Sequence, residues 1–180
     1  MPNEWENCIQ DCIQTITNLK FESLPKSELV SIVLDLLTLL PEEFNNLNIV
    51  KGKRISIRNK LCENFQLIKS FLQEIFNSQL QTQNLITNGI KCLSSWNEFG
   101  ILFNDMENFM TFLFSVVLNE HFFEASSECL TSIFSLPDNA KYSNSIFSYM
   151  PFIIQLNVLL RKFIDQKDTV RGCLKEREFY

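Results

Sequence analysis

Apolar residues recur at spacings of three and four along almost the whole chain, and period-two alternation is nearly absent. That is the pattern of amphipathic helices rather than strands. Trp5, Cys8, Ile9, Cys12, Ile16 and Leu19 draw one stripe on a helix over about 3–20. Pro25 and Ser27 open a second helix, over about 26–44. Its Leu29, Val30, Ile32, Val33, Leu36, Leu37, Leu39 and Leu40 are apolar nearly all round, so this helix must be covered on most sides. Pro41 falls near its end, where a missing donor costs least. A polar loop with a basic edge, NNLNIVKGKR, fills 45–54. Ile57, Leu61, Phe65, Ile68, Leu72 and Ile75 then mark a third helix over about 53–77. Leu85, Ile86, Ile90, Leu93 and Trp96 mark a fourth over about 81–99, with Gly100 placed for a C-terminal cap. Asp105 suits the N-cap of a fifth, over about 105–119. A sixth spans about 121–135, and a seventh about 142–166 with a kink expected at Pro151.

Composition narrows the function classes. In 180 residues there are only four Gly and five Pro, and no stretch reads G-x-G-x-x-G or G-x-x-x-x-G-K. This excludes a nucleotide site built on a glycine loop. A net charge of −5 disfavours general binding to nucleic acid or to an anionic membrane. The 17 Phe point to long, continuous burial of helix faces. The six Cys are widely and irregularly spaced apart from Cys8 and Cys12, and no apolar leader opens the chain. A reducing compartment, nucleus or cytosol, is therefore expected. The 19 uncharged residues between Lys141 and Arg161 reach membrane-span length, but Ser143, Asn144, Ser145, Ser148, Gln155 and Asn157 would be costly in lipid. We expect a packed helix there, and no membrane insertion.

Two all-α arrangements suit seven such helices: one closed bundle, or an open stack of antiparallel hairpins. The intervals from Leu29 to Leu85 and from Leu85 to Phe122 bracket the roughly 40–47 residue period of HEAT and armadillo repeats. The many-sided helix 26–44 favours the stack, because an interior repeat is covered by both neighbours. The expected organisation is a HEAT-like array of about three to four repeats over 1–166, incomplete at both ends, followed by a short terminal segment, 167–180.

Three segments carry a resemblance: LLTLLPEEF (36–44), IKCLSSWNEFG (90–100) and FFEASSECLTSIFS (122–135). In this order and separation they resemble the importin-13 and transportin-SR branch of the importin-β (karyopherin-β) nuclear transport receptors. PDNAKYSNSIFSYMP (137–151) tilts the likeness to the importin-13 side, and PNEWENCIQDCI (2–13) looks like the second helix of a preceding repeat. The resemblance covers about 2–165 and corresponds to a piece of the receptors' N-terminal third. It implies an open right-handed superhelical stack of antiparallel helix hairpins. It also implies protein cargo and the Ran GTPase held on the inner, second helices, Phe-Gly nucleoporins met through shallow apolar slots on the outer helices, and shuttling between nucleus and cytoplasm. A HEAT-like scaffold or adaptor with no Ran link is the alternative.

Chemistry-bearing residues are few. Cys8 and Cys12 share a helix face, but zinc would need two more ligands, and the only His is His121. No nucleophile or orienting group accompanies His121, whose expected role is solvent-facing or capping. Glu42 and Glu43 are adjacent, so their side chains diverge on a helix. We therefore expect no catalytic residue, no metal site, no cofactor and no enzyme. Trp96 reads as core. Lys51, Lys53, Arg54, Arg58 and Lys60 form the basic cluster, suited either to an acidic partner or to solvation of a loop and helix start. No interleaved aromatics accompany them, which argues against nucleic acid. By the resemblance, Glu4, Glu6 and Asp11 are candidates for a Ran-facing surface.

Overall fold

Pro25 cannot extend a helix backwards, and the first long element starts just after it. The computed structural model describes residues 9–11, 13–14, 25–46, 50–78, 82–135, 141–159 and 161. The continuous helices are α1 (Lys26–Asn46), α2 (Lys51–Glu63), α3 (Phe65–Asn77), α4 (Gln83–Phe99), α5 (Phe103–Val116), α6 (Phe123–Phe134) and α7 (Ser143–Ser148). Residues 9–11 and 13–14 are helical before α1, and residues 150–159 are helical again after α7. No strand occurs among the described residues. The chain divides into two compact units, 1–137 and 138–180.

In the first unit, consecutive helices pair as hairpins: α3 with α4, and α5 with α6. The second helices form a row, α1 against α4 and α4 against α6, while the first helices α3 and α5 touch in a parallel row. This two-row arrangement is a HEAT-like stack of hairpins, all-α as the periodicity requires. The core lies between the rows, with Leu34, Leu37, Phe65, Ile68, Leu72, Ile90, Leu93, Trp96, Phe103, Phe109 and Met110 nearly inaccessible. In the second unit Phe147, Phe152, Ile154 and Val158 stay exposed.

Pro41 turns out to lie inside α1, one turn before its end. Having no N–H, it leaves the Leu37 carbonyl, four residues back, without its helical donor. The Trp96 indole Nε1 donates to that carbonyl at 2.9 Å, and the Ser95 hydroxyl donates to the next one, Thr38 O, at 3.0 Å. Phe44 meets Phe99 edge-on at 5.3 Å further along the same seam. The Leu-Pro-Glu-Glu and Cys-x-Ser-Ser-Trp segments are thus two halves of one helix–helix lock.

Gly100 caps α4 in the left-handed region, φ 105°, its N–H bonded to Asn97 O at 2.9 Å. A Cβ there would be strained and would collide with Arg58 Nη2. Gly100→Ala is therefore expected to cost about 1–2 kcal/mol, measured as a lowered urea midpoint with unchanged slope; an unchanged midpoint would count against this account of the cap.

Four expectations need correction. The single helix over 53–77 is two, broken at Asn64. There the Asn64 amide donates to Lys60 O at 2.8 Å, and its N–H bonds Lys60 O and Leu61 O, which closes α2. Asp105 is not an N-cap: Leu102 occupies that position, and Asp105 in the first turn accepts from Gln66 Nε2 at 2.8 Å and faces Lys69 Nζ at 3.6 Å. The final helix is interrupted at Tyr149, before Pro151, so the proline sits in the opening turn of the next helical stretch where its missing N–H costs little. Helix α1 is not covered on most sides: Ile32, Leu36 and Leu39 remain 44–47% exposed, on the flank away from the buried Leu29, Val33 and Leu37.

Candidate partner-binding surfaces

The basic cluster is split by what lies beneath it. Helix α2 buries no side chain of its own. It rests on the ends of α1 and α4 through guanidinium groups, with Arg54 5.4 Å over the Phe44 ring and Arg58 5.9 Å over the Phe99 ring. Arg58 Nη2 also donates to Phe99 O at 3.1 Å. A guanidinium is weakly hydrated and planar, so it stacks on a ring at low desolvation cost. Lys51 and Lys53, in the first turn, are exposed. Of the five predicted cations, Arg54 and Arg58 therefore dock the helix, Lys51 and Lys53 face solvent, and Lys60 is half-buried in the last turn.

Glu4 and Glu6 lie outside the described residues, as do Cys8, Cys12 and the segment 167–180. Asp11 is exposed on the early helical segment. Gln10, Ile13 and Gln14 of that segment line, with Lys26 and with Leu67, Ser70, Phe71 and Glu74, an open depression of about 400 Å³. The lining from α3 sets this segment on the side of the first helices. Of the segment expected to form a second helix, Gln10 and Ile13 thus border α3, and residues 2–8 and 12 lie outside the described residues.

That row carries acids which the residue-by-residue reading did not single out. Glu28, Asp35 and Glu42 on α1, Glu98 on α4, and Glu124 and Glu128 on α6 are all exposed. Asp35 accepts from Asn88 Nδ2 of α4 at 3.4 Å. Asp35 and Glu42 both bear electrostatically on Cys92, and Glu98 on Cys129, so these acids border the α1–α4 and α4–α6 seams. A signal for part of this was present: Glu28, Asp35 and Glu42 recur every seven residues, and Glu124 and Glu128 are four apart. Which helices stand side by side could not be read from that spacing.

His121 is exposed and its N–H bonds Asn119 Oδ1 at 3.0 Å in the turn before α6. Among the described residues no three His, Cys, Asp or Glu converge on a point that could hold a metal ion. No helix among them is long and apolar enough to cross a membrane. Trp96 is fully buried.

The thiols are held protonated. Burial pushes Cys92 up to about 12, against a smaller opposing hydrogen bond from Thr38, and pushes Cys129 up to about 12 with Glu98 adding to the effect. Burial also raises Cys62, with Arg58 working the other way. The folded chain keeps the Cys92 and Cys129 protons where an unfolded thiol, near 9.0, has lost them. Their contribution to stability is complete below pH 9 and is lost as pH rises towards 12, by about 1.4 kcal/mol per pH unit for each thiol. Urea unfolding at about pH 8 and about pH 10 should show this loss, and Cys92→Ala with Cys129→Ala should remove it.

Two rows of helices, short hairpin turns and a shared seam describe a HEAT-like solenoid, and sequence comparison gives its family. The chain matches the Exportin 1-like protein (Xpo1) family over residues 1–130. It belongs to that family, among the karyopherin nuclear transport receptors. Individual relatives are more distant. The chain is 24% identical to importin-13 of Bos taurus and of Homo sapiens over 172 residues, and 23% identical to importin-13 of Gallus gallus over 168. Each alignment covers 93% of this chain and 17% of the relative, so the chain spans about one sixth of the length of the curated relatives it matches.

Proposed function

We propose that the chain serves as part of an importin-13-like nuclear import receptor. It contributes, without enzymatic activity, a section of the surface that holds protein cargo and Ran-GTP, and it shuttles between nucleus and cytoplasm. The observation that carries this reading is the acidic row across three neighbouring second helices: Asp35, Glu42, Glu98, Glu124 and Glu128 are exposed on one layer, next to seams that the stack can flex. Five acids against one exposed cation of α4, Lys91, favour a basic protein partner, steer its approach and set register more than raw affinity. Lys51 and Lys53 offer a second, opposite patch for an acidic segment of cargo. The depression beside Ile13, Leu67 and Phe71, on the layer of first helices, suits a phenylalanine from a Phe-Gly nucleoporin.

Binding of Ran loaded with a non-hydrolysable GTP analogue to the chain tests the reading. The GDP form should bind more weakly, and Asp35→Lys together with Glu98→Lys should weaken the GTP form by about tenfold while leaving the melting curve in place. No Ran-GTP binding, or binding indifferent to the charge reversals, would leave a HEAT-like scaffold without a Ran link as the better description.

A further inference from the structure

The first turns of α2 are built to open. Val50 at the N-cap supplies no side-chain bond, the first turn has no acid, and Lys51, Lys53 and Arg54 put three cations at the positive end of the helix dipole. Gly52 stands in open space and weakens the turn further. No side chain of α2 is itself buried, so the core contact that fraying of the first turns must release is that of Arg54 with the buried Phe44 ring. Ser56 sits in this stretch, exposed, in the order Lys53-Arg54-Ile55-Ser56. It is the one serine or threonine of the chain with basic residues both two and three positions before it. Paired cations at those positions are what acidic subsites of a basophilic kinase read, provided the segment can straighten.

We propose that Ser56 is a phosphorylation site for a basophilic serine/threonine kinase, and that the phosphate orders α2. In the transfer, Ser56 Oγ forms a bond to the γ-phosphorus of ATP–Mg²⁺ while the bridging bond to the β-phosphate breaks. ADP leaves with that electron pair, and the hydroxyl proton passes to the kinase's carboxylate base. Access requires Arg54 to leave the Phe44 ring for a moment, so docking and kinase recognition compete for one guanidinium. Once α2 closes again, Lys53 and Lys60 stand three before and four after the phosphoserine, on its own face. The added charge of about −1.5 to −2 pairs with them and offsets the cations at the helix start. Arg54 and Arg58, two positions to either side, keep their places over Phe44 and Phe99.

The test incubates the full chain with a cAMP-dependent-type kinase and ATP–Mg²⁺, maps phosphate by tandem mass spectrometry, and follows amide exchange over α2. A synthetic peptide spanning 50–60 runs in parallel. The expected result is phosphate on Ser56, lost in Ser56→Ala, slowed in Lys53→Ala, with slower exchange over α2 after modification. An unmodified chain beside a modified peptide would overturn the claim of access, a peptide that resists would overturn recognition, and faster exchange over α2 would overturn the ordering effect.

Discussion

Trp96→Ala will destabilise the first unit by about 3–5 kcal/mol, a large share of what a small domain has. The indole is fully buried between the rows, tilted against Phe65 at 6.0 Å and edge-on to Phe99 at 5.7 Å. Removing it opens a cavity in the seam between α1 and α4 and strips the Leu37 carbonyl of its donor. Trp96→Phe separates the two effects. It keeps most of the apolar volume and loses the hydrogen bond, at about 1–3 kcal/mol for a buried acceptor left unpaired. Pro41→Ala then becomes informative, because its new N–H can serve Leu37 O along the helix. The double variant should be less damaged than the sum of the singles by about 1 kcal/mol in urea unfolding. Strict additivity would mean that the proline and the indole do not share that carbonyl.

Gly89→Val should cost about 3 kcal/mol, at the upper end for an overpacked core. Gly89 is buried where α4 crosses α3, and a Cβ there would come within 2.7 Å of Phe76 Cε1. Phe76 has little room to yield, being stacked on Phe112 at 4.2 Å and edge-on to Phe109 at 6.0 Å. Gly89→Ala sets a gain in helix propensity of about 1 kcal/mol against the same contact, so its loss should be smaller. Phe76→Leu in the Gly89→Val background should recover part of the stability, measured by thermal melting with circular dichroism. Equal loss with and without Phe76 would place the strain elsewhere.

Both effects come from close approach of helix backbones, and this was only half legible in the residues. The stripe of Leu85, Ile90, Leu93 and Trp96 marks the inner face of α4, because a helix repeats every 3.6 residues whatever surrounds it. Gly100 marks the helix end for an equally local reason, since the left-handed cap excludes most side chains. Pro41 reads only as a residue near a helix end, because local rules price its missing donor and not a distant indole that uses the freed acceptor. Asp105 looks like a cap in the sequence because capping residues are also good surface acceptors, and Gln66 and Lys69 claim its carboxylate instead.

The candidate surfaces divide in the same way. Lys51, Lys53, Arg54 and Arg58 are a run in one dimension, but only the placement of Phe44 and Phe99 beneath α2 makes two of them anchors. The acids of α1, α4 and α6 are far apart in the chain and become one row when hairpins stack. Periodicity, caps and turn residues act over one or two turns, and from them follow the helices, their apolar faces and the all-α class. Which rods are neighbours, which carbonyl meets Trp96 and which charges share a layer depend on contacts between residues 35 to 59 positions apart, so only the packing of the whole unit settles them.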